Sequence, residues 1–217
     1  MDDRARSPRA APFTVAAALV FLVGGRTATA APAGWYVGAG VGESRIYDTS
    51  ACSKVNGTMD SGYSCSEKTT DTAKRLFIGY RFRHHWSAET SYIDFGQFSA
   101  AAIGTESGVP AMASVTLKAS GVGVNVDGFL PVTNAFGIVG GIGVLRWHTT
   151  ESSSVSALGV STSEAKSETG VSVSFGAGVK YDFTPEVRGR AELVRYPDTT
   201  GRSQIDVLLV SVACHLG

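Results

Sequence analysis

From Thr169 to Glu186 the chain alternates strictly, with Val171, Val173, Phe175, Val179 and Tyr181 on one face and Ser172, Ser174 and Lys180 on the other. A period of two is the signature of a strand, and segments like this recur along the chain. In an ordinary half-buried sheet the apolar face meets a core and the polar face meets water. Here the apolar face is long and unbroken while the opposite face is small or charged, which fits lipid outside and polarity inside. Downstream of residue 30 the sequence contains no apolar stretch of about 18 residues, so an ordinary membrane-spanning helix is excluded. Crossing a bilayer would therefore require a closed barrel.

The first thirty residues point to the cell envelope. Arg4, Arg6 and Arg9 precede an apolar run from Ala16 to Val23, and Ala28-Thr29-Ala30 offers small residues for cleavage before Ala31. The run is too short to span a membrane. We expect residues 1–30 to be a cleaved secretory signal peptide and 31–217 to be one outer-membrane β-barrel domain. The chain has 19 basic and 19 acidic residues; without Arg4, Arg6, Arg9, Arg26, Asp2 and Asp3 it has 15 and 17. That balance gives no reason to expect nucleic acid as a partner.

Eight strands are expected, over residues 34–46, 73–83, 86–98, 114–130, 135–148, 168–182, 186–196 and 204–216. The fold class is all-β: an eight-stranded antiparallel up-and-down transmembrane β-barrel. Connections alternate in length, with long ones over 47–72, 99–113, 149–167 and 197–203, and tight ones at His84-His85, 131–134 and 183–185. Sorting of loops by end is a habit of outer-membrane barrels, with tight periplasmic turns and long external loops, and a sandwich has no reason to share it.

Parity then assigns faces. Outward fall Trp35, Val37, Leu76, Ile78, Val122, Val124, Ile138, Ile142, Val171, Val173, Leu208, Val210 and Val212. Inward fall Arg81, Glu89, Asp127, Lys180, Arg188, Arg190 and Glu192, interleaved with Gly38, Gly40, Gly79, Gly141 and Gly143. Eight strands leave a lumen wide enough only for side chains, so inward glycines are expected to make room for long charged ones. Trp35, Trp86, Tyr181 and Phe183 fall near strand ends on the short-turn side, where amphipathic rings suit the headgroup level; the lesser alternative is that they simply cap a core. Two places break the alternation: Ile93-Asp94 and Ile205-Asp206 put an isoleucine inward and an acid outward, the mark of a bulge or of the end of the membrane zone.

Cys52 and Cys65 lie in the longest connection with twelve residues between them, in an oxidising compartment, and are expected to form a disulfide. Zinc is the alternative, but His84 and His85 belong to the opposite end and no Cys-x-x-Cys occurs; no metal is expected. Cys214 faces lipid by parity. Gly38-Ala39-Gly40-Val41-Gly42 imitates a dinucleotide fingerprint, yet no helix follows and the third glycine comes one position early, so no cofactor is expected.

The chain resembles the eight-stranded transmembrane domain of the OmpA-type and opacity-type outer-membrane proteins. The resembling residues are Gly34-Trp35-Tyr36-Val37-Gly38; Gly79-Tyr80-Arg81-Phe82 with Glu89 and Tyr92; Lys118 to Val122 running to Pro131-Val132-Thr133; Thr169 to Ser172; and Thr184-Pro185-Glu186-Val187 with Arg190 and Glu192. The resemblance covers the transmembrane domain only, without the family's frequent peptidoglycan-binding domain. It implies an interior cluster of two acids and two bases that plugs the lumen. Glu89 and Arg190 match one acid and one base, whereas Asp127 stands where the family has a base and Lys180 where it has an acid. We expect Glu89 to pair with Arg190, and Asp127 with Lys180 or Arg81, since an isolated charge in such an interior costs several kcal/mol. The family also finishes with an aromatic residue read by the assembly machinery; this chain reads Cys214-His215-Leu216-Gly217 instead.

Three functions follow, in order. The first is a monomeric barrel with a structural or surface-interaction role, in contact with outer-membrane lipids and the assembly machinery, its termini periplasmic and its long loops offered to an extracellular ligand. The second is a low-conductance, porin-like channel for small solutes or ions. The third is a barrel enzyme acting through external loops on lipid or peptide; the His-x-Ser pair of the barrel deacylases is not formed by His84, His85, His148 or His215, so no catalytic residue is assigned.

Overall fold

The computed structural model describes residues 33–47, 52, 64–83, 85–106, 109–157, 160–197 and 203–216. The expected signal peptide lies outside them, as do His84 and most of the first long connection. Nine strands are described: β1 Gly34–Ile46, β2 Ser64–Lys68, β3 Thr70–Arg83, β4 Trp86–Glu106, β5 Val109–Pro131, β6 Phe136–Ala157, β7 Val160–Asp182, β8 Val187–Tyr196 and β9 Ile205–His215. All except β2 form a ring. Each pairs antiparallel with its chain neighbours in the ring, and β1 closes on β9 from Tyr36↔His215 to Ile46↔Ile205.

Closure follows from the alternation. Trp35, Val41, Leu76, Val122, Ile142, Val171 and Val212 stand exposed, whereas Tyr36, Arg75, Phe77, Glu89, Asp127, Arg190 and Glu192 on the alternate positions are buried. On β5 the outward apolar run goes from Val122 to Leu130, roughly 27 Å of strand, or about 21 Å once a tilt of about 40° is removed. That is near the ~25 Å apolar height of barrels that sit in a membrane.

Two of the expected long loops are not loops. β4 and β5 stay in register out to Glu106↔Val109, and β6 and β7 out to Ala157↔Val160. Residues 99–106 and 109–113 are therefore strand, as are 149–157 and 160–167. These segments carry no apolar stripe, because they lie beyond the belt and have no greasy face to bury. What holds them is the backbone ladder with hydroxyl pairs across it, Ser114 Oγ to Ser154 Oγ at 2.8 Å and Ser156 Oγ to Ser161 Oγ at 2.8 Å. β2 also arises within an expected loop; it pairs with the outer part of β4 from Ser64↔Ile103 to Lys68↔Ser99. The Cys52–Cys65 disulfide, with Cα atoms 5.8 Å apart, ties the chain before β2 to this added strand.

The break at Ile93-Asp94 is a bulge: the β4–β5 register shifts between Asp94 and Gly96, and Gly96 has φ 84°. Asp94 Oδ1 accepts from Gly96 N–H at 2.9 Å, and Asp71 Oδ2 accepts from Gln97 N–H at 2.6 Å. Ile205-Asp206 holds its register with β1 instead; Asp206 is gripped by both Arg195 Nε at 2.8 Å and Nη2 at 2.7 Å.

A Cβ on Gly96 would meet Asp71 Oδ2 at 2.6 Å, in a backbone conformation that L residues avoid. Gly96→Ala is therefore expected to lower stability by about 1–3 kcal/mol in urea unfolding from liposomes. Gly140→Ala, whose Cβ would find only Gly176 O at 3.9 Å, should leave the midpoint unchanged. Asp71 itself lies beyond the belt on the long-connection side, and its carboxyl is held below the ordinary range first by the Lys68 ammonium at 2.9 Å and also by the Gln97 amide. A lowered carboxyl stabilises fully above its unfolded value, and that contribution is lost as pH falls through the folded one. The Gln97 amide resonance should accordingly titrate with a midpoint below about 3.9; a midpoint at or above that value would contradict the assignment.

Candidate functional site: the filled lumen

Side chains of three kinds stack along the barrel axis. At the short-turn end Arg81 and Arg188 both lie over Phe129, their guanidinium carbons 5.2 and 5.4 Å from the ring centroid. Lys180 Nζ donates to Asp182 Oδ2 at 2.6 Å, and Arg188 Nε donates to Asp182 Oδ1. Stacking on Phe129 and pairing with Asp182 offset part of the charge in a layer rich in cations.

The middle layer centres on Glu89. Arg190 Nη1 and Nη2 reach its two oxygens at 2.6 and 3.0 Å, Arg75 Nη2 donates at 2.9 Å, and Tyr36 Oη donates at 2.8 Å. Arg190 and Arg75 also sit 4.8 and 5.1 Å from the Phe77 centroid. Glu192 Oε2 approaches Arg190 Nε at 3.3 Å and Arg75 Nη1 at 3.8 Å. Four donors converging on one carboxylate, with all the side chains concerned nearly dry, compensate the desolvation that burial imposes.

Small residues make the layer possible. A Cβ on Gly79 would run into the Tyr36 ring, and one on Gly38 into the Phe77 ring. Room is thus cleared chiefly for aromatic rings here, where the sequence suggested long charged chains.

Toward the long-connection end the lumen turns apolar. Ile46, Ile93, Phe95, Phe98, Leu145, Trp147, Val194, Tyr196, Ile205, Val207 and Leu209 form one buried cluster, with the Phe95 and Tyr196 rings in edge contact at 5.1 Å. Parity alone did not announce this layer, but the inward isoleucines at 93 and 205 were its signal.

The expected residues divide as follows. Arg81, Glu89, Asp127, Lys180, Arg190 and Glu192 all lie buried inside the ring, and Glu89 and Arg190 meet directly. Lys180 does not meet Asp127: the nearest acid on its own strand face, Asp182, takes it. Asp127 faces Arg190 instead, with Nη1 3.7 Å from Oδ2. Lys180 and Arg190 stand directly opposite each other across β7 and β8, so each turns to a different acid along the axis. Arg75, Tyr36, Phe77 and Asp182 belong to the same network and were not singled out beforehand, although they share the parity of neighbours that were. Trp35, Trp86 and Phe183 are exposed at the short-turn end, with Tyr181 against Phe183 at 5.1 Å and Trp35 against Tyr80 at 5.1 Å. His148 points outward, and His215 lies half-buried 5.4 Å from the Tyr36 ring.

A protein-family model, OmpA-like transmembrane domain, matches residues 30–205. The chain belongs to the OmpA-like transmembrane domain family. Its apolar belt therefore faces lipid, and its place is the outer membrane. Among solved structures it is similar to neisserial surface protein A, with 13% identity and a TM-score of 0.49 over 84% of this chain and 97% of that one. It is also similar to Ail, the attachment invasion locus protein of Yersinia pestis, in complex with the heparin analogue sucrose octasulfate (13% identity, TM-score 0.44, 84% and 99% covered). The N-terminal β-barrel domain of Pseudomonas aeruginosa OprF is a third (11% identity, TM-score 0.45, 85% and 100% covered). No curated protein matches the chain.

In this OmpA-like barrel, Glu89→Ala strands two buried guanidinium groups and should cost roughly 3–5 kcal/mol in liposome urea unfolding. Asp127→Asn, which loses only a contact at 3.7 Å, should cost far less. Equal losses from the two variants would contradict the central place given to Glu89.

Proposed function

We propose that this protein is a non-enzymatic outer-membrane barrel whose lumen is permanently filled and whose work is structural or done at the cell surface. The observation that carries the reading is the order of layers along the axis. A polar network alone could exchange partners and let ions pass, but a dry aromatic and aliphatic layer stacked on it offers a permeating ion no ligands. That favours a closed barrel over the channel reading.

In this reading residues 1–30 are removed on export, the tight turns and termini face the periplasm, and the long hairpins stand outside the cell. The aromatic residues at the short-turn end serve as interface anchors. The assembly machinery inserts the chain, outer-membrane lipids surround it, and the hairpins carry any ligand recognition, as exposed segments on a rigid scaffold commonly do.

Planar-bilayer recording tests the closed lumen. Wild type and Glu89→Ala are both expected to stay at baseline, because the apolar layer remains in either. Discrete openings in Glu89→Ala, absent from wild type, would instead make the charge network a gate.

A further inference from the structure

Along β5, β6 and β7 every second residue faces outward, in step with Val122, Val144 and Val171. Counted at that parity, the basic residues are Lys118, Arg146 and His148, all exposed. No acid shares their parity: Asp127, Glu151, Glu164, Glu168 and Asp182 stand on the alternate positions. The outer face of three adjacent strands is thus basic, and its cations lie where the belt stops on the long-connection side. Arg146 is the first outward residue past Val144 and stands between Val122 and Val171.

A guanidinium beside hydrocarbon calls for an anion. At the corresponding place on β8, the first outward residue past Leu193 is Arg195, and the chain supplies Asp206, which holds it by two bonds of 2.8 and 2.7 Å. Arg146 is given nothing comparable. Among the described residues, neither it nor Lys118 makes a side-chain hydrogen bond or ion pair. Asp94, opposite Ser120 on the adjoining strand, faces the same way, and one of its oxygens accepts from the Gly96 N–H at 2.9 Å.

The two cations flank one row. Ser120, His148 and Thr169 stand side by side across β5, β6 and β7, with Arg146 one outward position below that row and Lys118 one above. Each is about 7 Å from it along the strand, a distance that a long side chain covers. A guanidinium fork, an ammonium, an imidazole and two hydroxyls therefore address one patch, the donor set that suits phosphate oxygens. Directly below the patch lie Val122, Val144 and Val171, so a ligand there can rest an apolar tail on the belt, which a free anion could not use. The opposite rim carries the rings of Trp35, Trp86 and Phe183 instead.

We propose that Arg146 and Lys118, with His148 between them, hold the phosphate headgroup of an outer-leaflet lipid whose acyl chains lie on the belt. This deepens the proposed function by naming a lipid class, and it rests on the reading that the long hairpins stand outside the cell.

The test titrates the folded barrel in non-ionic detergent with dioleoyl phosphatidic acid and counts bound lipids by intact-complex mass spectrometry. Wild type is expected to bind one such lipid at least tenfold more tightly than the double variant Arg146→Gln/Lys118→Gln does, and at least tenfold more tightly than it binds phosphatidylcholine. Arg195→Gln should match wild type. Shifted migration in unboiled gels first shows that each protein is folded. Equal affinity in wild type and the double variant overturns the inference, and so does an equal loss in Arg195→Gln. Displacement of the lipid by an equal concentration of inorganic phosphate makes the patch a free-anion site and overturns the lipid assignment. Orientation is read separately: Val160→Cys in a Cys214→Ala background, exposed at the β6–β7 hairpin, should react on intact cells with a maleimide too large to cross the outer membrane. Reaction there without lipid selectivity overturns this inference and leaves the proposed function standing. No reaction overturns both.

Discussion

Hydrocarbon supplies no hydrogen-bond partner, and that single deficit organises the molecule. Every N–H and C=O at the depth of the belt must be met by a neighbouring strand, and a sheet with a margin could not meet them all. The β1–β9 ladder is the contact that removes the margin. Once the ring is closed, one face of each strand is committed to lipid and the other to a narrow interior, so the identity of every second residue is fixed by which solvent it meets.

The interior then faces the opposite problem, since charged groups on the inner face are cut off from water. The chain answers by convergence. One glutamate takes two guanidinium groups and a phenol, aromatic rings lie against the cations, and a second acid gathers the bases nearest the tight turns. Replacing the central glutamate leaves the guanidinium groups around it buried with their shortest partner gone, which is why such networks are costly to break and easy to keep.

Much of this was legible in the order of residues. Parity placed the belt and the inward charges at Arg81, Glu89, Asp127, Lys180, Arg190 and Glu192, because a lipid-facing strand leaves a clean alternation. Three things were hidden. The outer hairpins carry no apolar stripe, so Ser152, Ser154 and Ser163 read as loop although their backbones are paired. Asp127 and Lys180 were matched by sign, whereas distance along the axis gave Lys180 to Asp182. The apolar layer around Phe95 and Trp147 was hidden because inward hydrophobic residues break the rule that revealed everything else; Ile93 and Ile205 looked like exceptions when they were its first members.

The ring also has no natural beginning. Leu216 N–H donates to Trp35 O at 2.8 Å, so the first and last described strands meet at the same rim as the tight turns. A short linker there, with a new opening between Ala157 and Val160, would give a circularly permuted chain with the same neighbours around the circle. The barrel's architecture thus resides in its cyclic order of strands.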